Sequence, residues 1–353
     1  MTRPAPGIDL LANLALAGAA ALIVVRPRHV AKIVASPAVR RSLARRPAPP
    51  PPPPSPLSRL RELQRLARRH APPVRAKRQL LTRTTGRKLN GSAAMLALSV
   101  LADSSVEHYR GSFQNRAMYT PLIASAITLG ASVLGLADTR AKKHVGRDVV
   151  YASAAATGFT GFGFHLYNIL KRPAGWSWLN LFYAAPIGAP MALALAGLLG
   201  RGAERVRDTP PLDEATMLGL PAGRVLAAVT AAGLAGTVGE AGLLHFRGAY
   251  HDPAMLLPVT VPPLAAATLA AAALRPGHKL NRVARWWLRI TALLGFAGVG
   301  FHAYGVSRNM GGWRNWSQNL LNGPPLPAPP SFTGLALAGL AALTLMEEAE
   351  TDV

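Results

Sequence analysis

The chain has 353 residues, half of them hydrophobic, with only 16% charged, 6% aromatic and a formal net charge of +23. A soluble domain carries about a quarter charged residues, so this composition argues against one, and the absence of cysteine excludes disulfides and thiolate metal sites. No Walker-type glycine loop, dinucleotide fingerprint, His-Glu-x-x-His or Gly-x-Ser-x-Gly occurs, which argues against an ATPase, a soluble-type dehydrogenase or a common hydrolase and leaves open whether the chain is an enzyme.

In chain order, apolar runs of spanning length occur at 8–25, 92–106, 119–137, 149–170, 179–199, 225–244, 254–274, 290–306 and 332–346. Runs of about 17 to 25 apolar residues cross a bilayer core of roughly 30 Å as helices. The expectation is an all-α integral membrane protein: one N-terminal transmembrane helix (1–25), a basic, Pro-rich cytoplasmic linker (26–90), and eight core helices in two tandem four-helix units. The units are 86–199 and 223–346, joined by a cytoplasmic linker at 200–222 and followed by an acidic cytoplasmic tail at 347–353.

Residues 26–90 hold 18 Lys and Arg against one acid, Glu62. Within that block, 47–56 is a polyproline run, and Leu57, Leu60, Leu63 and Leu66 mark a basic amphipathic helix. The loops expected on the same side bring the total to 31 of the 39 basic residues. Short loops rich in Lys and Arg stay cytoplasmic, which predicts the N-terminus outside and the C-terminus inside. The charge is thereby explained by topology, and nucleic-acid binding is not expected. The lipid bilayer is the expected partner. Heavy use of Ala, Arg, Pro and Gly suggests a bacterial inner (cytoplasmic) membrane.

An internal repeat is read at a constant offset of 137 residues, with no insertion, across 86–199 and 223–336. Gly86-Arg87 matches Gly223-Arg224, and His108-Tyr109-Arg110-Gly111 matches His245-Phe246-Arg247-Gly248. Gly158, Gly161, Gly163, His165 and Tyr167 match Gly295, Gly298, Gly300, His302 and Tyr304. An even number of helices per unit predicts parallel repeats about an axis along the membrane normal.

The first helix of each unit ends in a histidine (His108, His245) and the third carries another near the same end (His165, His302). Each unit thus offers two histidines at similar depth near the outer face. Gly158, Gly161 and His165 share one helical stripe, as do Gly295, Gly298 and His302, so the histidine should point into a close helix interface. The pairs are candidate ligands for a b-type haem or a transition metal, or they only hydrogen-bond across helices. Asp103 and Glu240 are recurring intramembrane acids, expected to pair with Arg110 and Arg247 or to relay protons. The second outer loop, with Trp313, Arg314, Asn315, Trp316 and Gln318, is a candidate lid or a docking surface for a periplasmic protein. Three functions compete: a redox or quinone-linked membrane subunit, a transporter or channel of parallel repeats, and a non-catalytic membrane scaffold.

Overall fold

The computed structural model describes residues 74–351 apart from 139, 141, 142, 211 and 212. The expected N-terminal helix, polyproline run and basic amphipathic helix lie outside the described residues.

Among the described residues ten α-helices follow one another: α1 (Val74–Arg110), α2 (Thr120–Ala137), α3 (Val145–Leu170), α4 (Trp178–Tyr183), α5 (Gly188–Asp208), α6 (Ala222–Arg247), α7 (Leu257–Leu274), α8 (His278–Arg308), α9 (Trp316–Asn322) and α10 (Pro330–Thr351). Six of them, α1, α2, α6, α7, α8 and α10, are long and apolar enough to cross a membrane. This makes the chain a multi-pass membrane protein in composition and length. α3 and α5 are not among the six. α5 carries Arg201, Glu204, Arg205, Arg207 and Asp208 in its last turns, which lowers its apolar content.

Several expected boundaries move. α1 begins at Val74, inside the segment read as a linker, and α5 runs to Asp208, shortening the 200–222 linker. The rest of that linker holds a two-stranded antiparallel hairpin, Thr216–Met217 with Leu220–Pro221. Its turn residues Leu218 and Gly219 both have positive φ, the geometry of a tight hairpin turn. The single span read at 179–199 is two helices. Proline cannot donate a backbone hydrogen bond and restrains its predecessor; Pro186 therefore breaks the segment between α4 and α5, with Pro190 in the first turn of α5, and Pro324, Pro325, Pro327 and Pro329 do so between α9 and α10.

The interior is built from small side chains. Ala93, Ala97, Ala196, Ala203, Ala227 and Ala265 are buried, while Leu98, Ile123, Ile127, Leu134, Phe164 and Leu293 are exposed. Small residues let helices approach closely where lipid, not water, surrounds them. An added Cβ at Gly158 would strike the backbone of Ala194 and lie 2.6 Å from the Pro190 carbonyl oxygen. At Gly295 it would strike Thr333 and lie 2.9 Å from the Pro329 carbonyl oxygen. These two glycines set the crossings of α3 with α5 and of α8 with α10.

The two halves of the described chain share local geometry. The 3-10 turns Arg116–Tyr119 and Pro253–Leu256 stand 137 residues apart at both ends, as do α2 and α7. Arg87 donates to the Leu136 carbonyl at 2.7 Å and Arg224 to the Ala273 carbonyl at 2.8 Å, so each arginine closes the end of the next helix. The spacing then changes. Asn180 donates to the carbonyls of Pro173 and Gly175, and Asn319 to those of Met310 and Gly312. The carbonyls are 137 residues apart but the asparagines 139, so the register without insertion does not hold. Two extra residues sit between Trp313 and Asn319, in a surface loop that tolerates insertion.

Candidate functional site: histidines fixed by backbone carbonyls

The end of α1 shows how sequence builds the site. Gly111 follows the last helical turn, and Ser112 and Phe113 both take positive φ. The chain then turns on Asn115, whose side-chain oxygen accepts the Ala117 N–H at 2.9 Å and starts the 3-10 turn. This brings the Met118 carbonyl back to His108, 2.5 Å from Nδ1. The second half repeats each step. Ala249 and Tyr250 have positive φ, Asp252 accepts the Ala254 N–H at 2.8 Å, and His245 Nδ1 lies 2.8 Å from the Met255 carbonyl. Phe113 stands edge-on to His108 and Tyr250 edge-on to His245.

The other two histidines use the helix breaks. His165 Nδ1 bonds the Pro186 carbonyl, and His302 Nδ1 bonds the Pro325 carbonyl at 2.7 Å. Both carbonyls lie where proline has interrupted a helix, and that of Pro325 also accepts the Ala328 N–H at 3.3 Å. A carbonyl oxygen only accepts, so in all four cases Nδ1 carries the proton. In the neutral ring Nε2 is then the lone pair, which is the arrangement of a metal-ligating imidazole held by its other nitrogen. The His245 and His302 rings are 6.4 Å apart between centroids at 66°. His108 and His165 are close enough to interact electrostatically.

The direct ion pair of Arg110 is with Glu107, at 2.9 Å, and Arg110 acts on Asp103 only through its field. Glu240 instead accepts the backbone N–H of Gly188, the first residue of α5, where a carboxylate is favoured by the helix dipole. Asp103 and Glu240, on α1 and α6, interact electrostatically with each other. Their arginine neighbours reach across instead: Arg110 donates to the Leu321 carbonyl and Arg247 to the Phe182 carbonyl at 3.0 Å. Each half thereby holds the short helix of the other.

Trp313, Arg314 and Asn315 form the 3-10 turn Gly312–Asn315, and Trp316 and Gln318 lie on α9. These side chains are exposed, and the buried anchor of the loop is Asn319.

At the opposite end of the helices stands a second cluster, of ion pairs and buried polar groups. Glu204 receives Arg147 Nε at 2.9 Å and Arg207 Nη2 at 2.6 Å. Asn90 Nδ2 donates to Glu204 at 3.2 Å, and the Tyr151 hydroxyl donates to Asn90 Oδ1 at 2.5 Å. Arg147 continues to Asp138 at 3.2 Å, which also meets Arg140 at 3.1 Å and His144 Nε2 at 2.7 Å. Burial alone would push the Asp138 carboxyl up; the Arg140 backbone N–H and the Arg140 and Arg147 guanidiniums outweigh it and hold the group well below the usual carboxylate range. Little in the sequence marked it: Asn90 and Glu204 lie in the charged ends of their helices, next to Arg87 and Lys88 and to Arg205 and Arg207. Compared with models of protein families, with curated proteins and with solved structures, the chain matches none.

Proposed function

We propose that the chain is a tandem duplication of a four-helix unit, giving eight core helices, and that its histidine pairs ligate a redox-active cofactor in a bacterial inner membrane. The histidine end faces outward in this reading, because the basic loops gather at the other end. The observation that carries it is the shared state of His108, His165, His245 and His302: each Nδ1 is tied to a backbone carbonyl and each Nε2 is left to bind. Two imidazoles sharing one metal through nitrogens about 2 Å away have ring centres roughly 6 Å apart, close to the His245–His302 separation of 6.4 Å.

Among the described residues no three His, Cys, Asp or Glu side chains converge. His245 and His302 would hold a b-type haem, which brings its own nitrogen ligands, better than a bare ion. Such a group would supply one-electron transfer, and the carbonyls of Met255 and Pro325 would orient its ligands. The test is a reduced-minus-oxidised visible spectrum with metal analysis, on wild type and a His245→Ala/His302→Ala variant from a haem-competent host. A haem band lost in the variant is the expected result; colourless, metal-free wild type overturns the reading.

A transporter or channel is the second reading, favoured by the discontinuous segments α4/α5 and α9/α10 and by Glu240 at the start of α5. Substrate uptake by reconstituted protein, abolished in Asp103→Asn/Glu240→Gln, would support it. A scaffold that holds a periplasmic partner through Trp313 and Trp316 is the third.

A further inference from the structure

The two halves differ at a set of buried positions. By the register of 137 before the Trp-rich loop and 139 after it, Asn90, Arg147, Tyr151, Glu204 and Arg207 of the first half stand where the second half has Ala227, Ala284, Leu288, Leu343 and Met346. All five of these counterparts are buried and apolar. On α2, buried Ser125, Thr128 and Ser132 stand where α7 has buried Pro262, Ala265 and Leu269. The second half keeps an ion pair at this end, Arg285–Glu347 at 2.6 Å, but both side chains are partly exposed.

At these eight positions the second half packs with apolar side chains, although it buries Thr230, Asn281, Thr291 and Thr333 elsewhere. Buried ion pairs are no better for stability than well-packed apolar side chains of similar size, so stability does not explain the polar core of the first half. The polar groups are also ordered along one direction. From the loop end they run Asp138, Arg147, Glu204, Asn90 and Tyr151 through direct contacts, and Ser132 faces the Tyr151 phenol. Ser125, Thr128 and Ser132 then share one face of α2 at i, i+3 and i+7, extending the polar lining by roughly 10 Å of helix. That direction leads toward the end that holds Asp103, His108 and His165.

We propose that the first four-helix unit contains a proton path closed at its loop end by the Asp138–Arg147–Glu204–Arg207 ion pairs. The solute is the proton, carried on water and on side-chain hydroxyls, because the lining groups are hydroxyl, phenol and amide and are closely packed. The ion pairs act as the gate: they tie the loop after α2 and the start of α3 to the end of α5, and loosening them opens the interior to water. The path rests on the duplication proposed above and is independent of whether the histidines bind haem.

The natural chain has no cysteine, which makes the test direct. Ser132→Cys and, as the second-half control, Leu269→Cys are reconstituted as full-length protein in liposomes and treated with a small, charged, water-soluble methanethiosulfonate. Each is made in the native background, with Glu204→Gln, and with Arg140→Ala; the Arg140 side chain is 73% exposed, so its loss does not threaten folding. The expected result is labelling of Cys at 132 about tenfold faster with Glu204→Gln and several-fold faster with Arg140→Ala, with position 269 unreactive throughout. Should Glu204→Gln fail to fold, Arg140→Ala decides alone. Equal rates at 132 in all folded backgrounds overturn the gate, and equal reactivity at 269 overturns a path specific to the first half. The gate variants without the added cysteine are then compared with wild type in dye-loaded vesicles under a potassium diffusion potential. Proton flux that rises with labelling supports the proposal; labelling without flux overturns the proton assignment.

Discussion

Glu204 and Arg207, one turn apart on α5, form a salt bridge of 2.6 Å with each side chain only 1% exposed. Removing one partner leaves an uncompensated buried charge, which costs about 3–5 kcal/mol. Glu204→Leu alone is therefore expected to lower thermal stability in detergent severely. The fivefold change Asn90→Ala, Arg147→Ala, Tyr151→Leu, Glu204→Leu and Arg207→Met installs the residues the second half uses, and is expected to restore most of the loss. A fivefold variant less stable than Glu204→Leu would show that the two halves are not equivalent in packing.

Two pairs of glycines separate close approach from mere permissiveness. Gly158→Ala and Gly295→Ala each drive a methyl group into the backbone of a crossing helix, and should abolish folded, monodisperse protein or cost several kcal/mol by overpacking. Gly163→Ala and Gly300→Ala meet open space and should be neutral or gain up to about 1 kcal/mol from helix propensity. Size-exclusion profiles and melting curves of the four variants check this.

The Asp138 carboxyl is held below its ordinary value in the folded protein. The unfolded chain then binds the proton first as pH falls, so this contribution is present above about pH 4 and is lost below it. Melting temperature should decline on acidification from pH 5 to pH 3, and Asp138→Asn should flatten that decline while lowering stability at pH 7. A decline of the same steepness in the variant would assign acid lability to other carboxylates.

Asn180 and Asn319 each use one amide to bind two loop carbonyls. Substitution by Ala removes two hydrogen bonds to loop carbonyls that water can still reach, at a cost of about 0.5–1.5 kcal/mol each. Limited proteolysis should then cut the loops 171–177 and 309–315 while the long helices survive. The loop and global unfolding coinciding in both variants would mean that these loops are not separate cooperative units.

Much of the fold was legible in the sequence. Long apolar runs with clustered charge determine membrane-length helices, because backbone groups in lipid must be satisfied within the segment. The glycine stripes through Gly158 and Gly295 announced close crossings, since only a missing side chain lets two helix backbones meet. Paired motifs ending in His108 and His245 announced a recurring local turn.

Only the tertiary structure decided where the remaining polar groups go. That His165 and His302 bind the carbonyls of Pro186 and Pro325 depends on a helix break some twenty residues away, which in the first half hydropathy averages into the single span 179–199. That Arg110 leaves Asp103 for Leu321, while Glu240 meets the start of α5, depends on how the two halves face each other. Above all, Asn90, Tyr151, Glu204 and Arg207 are far apart along the chain or lost among neighbouring charges. They become a charged core only when α1, α3 and α5 are packed, because hydrogen bonds and ion pairs depend on distances of a few ångströms that sequence spacing does not fix.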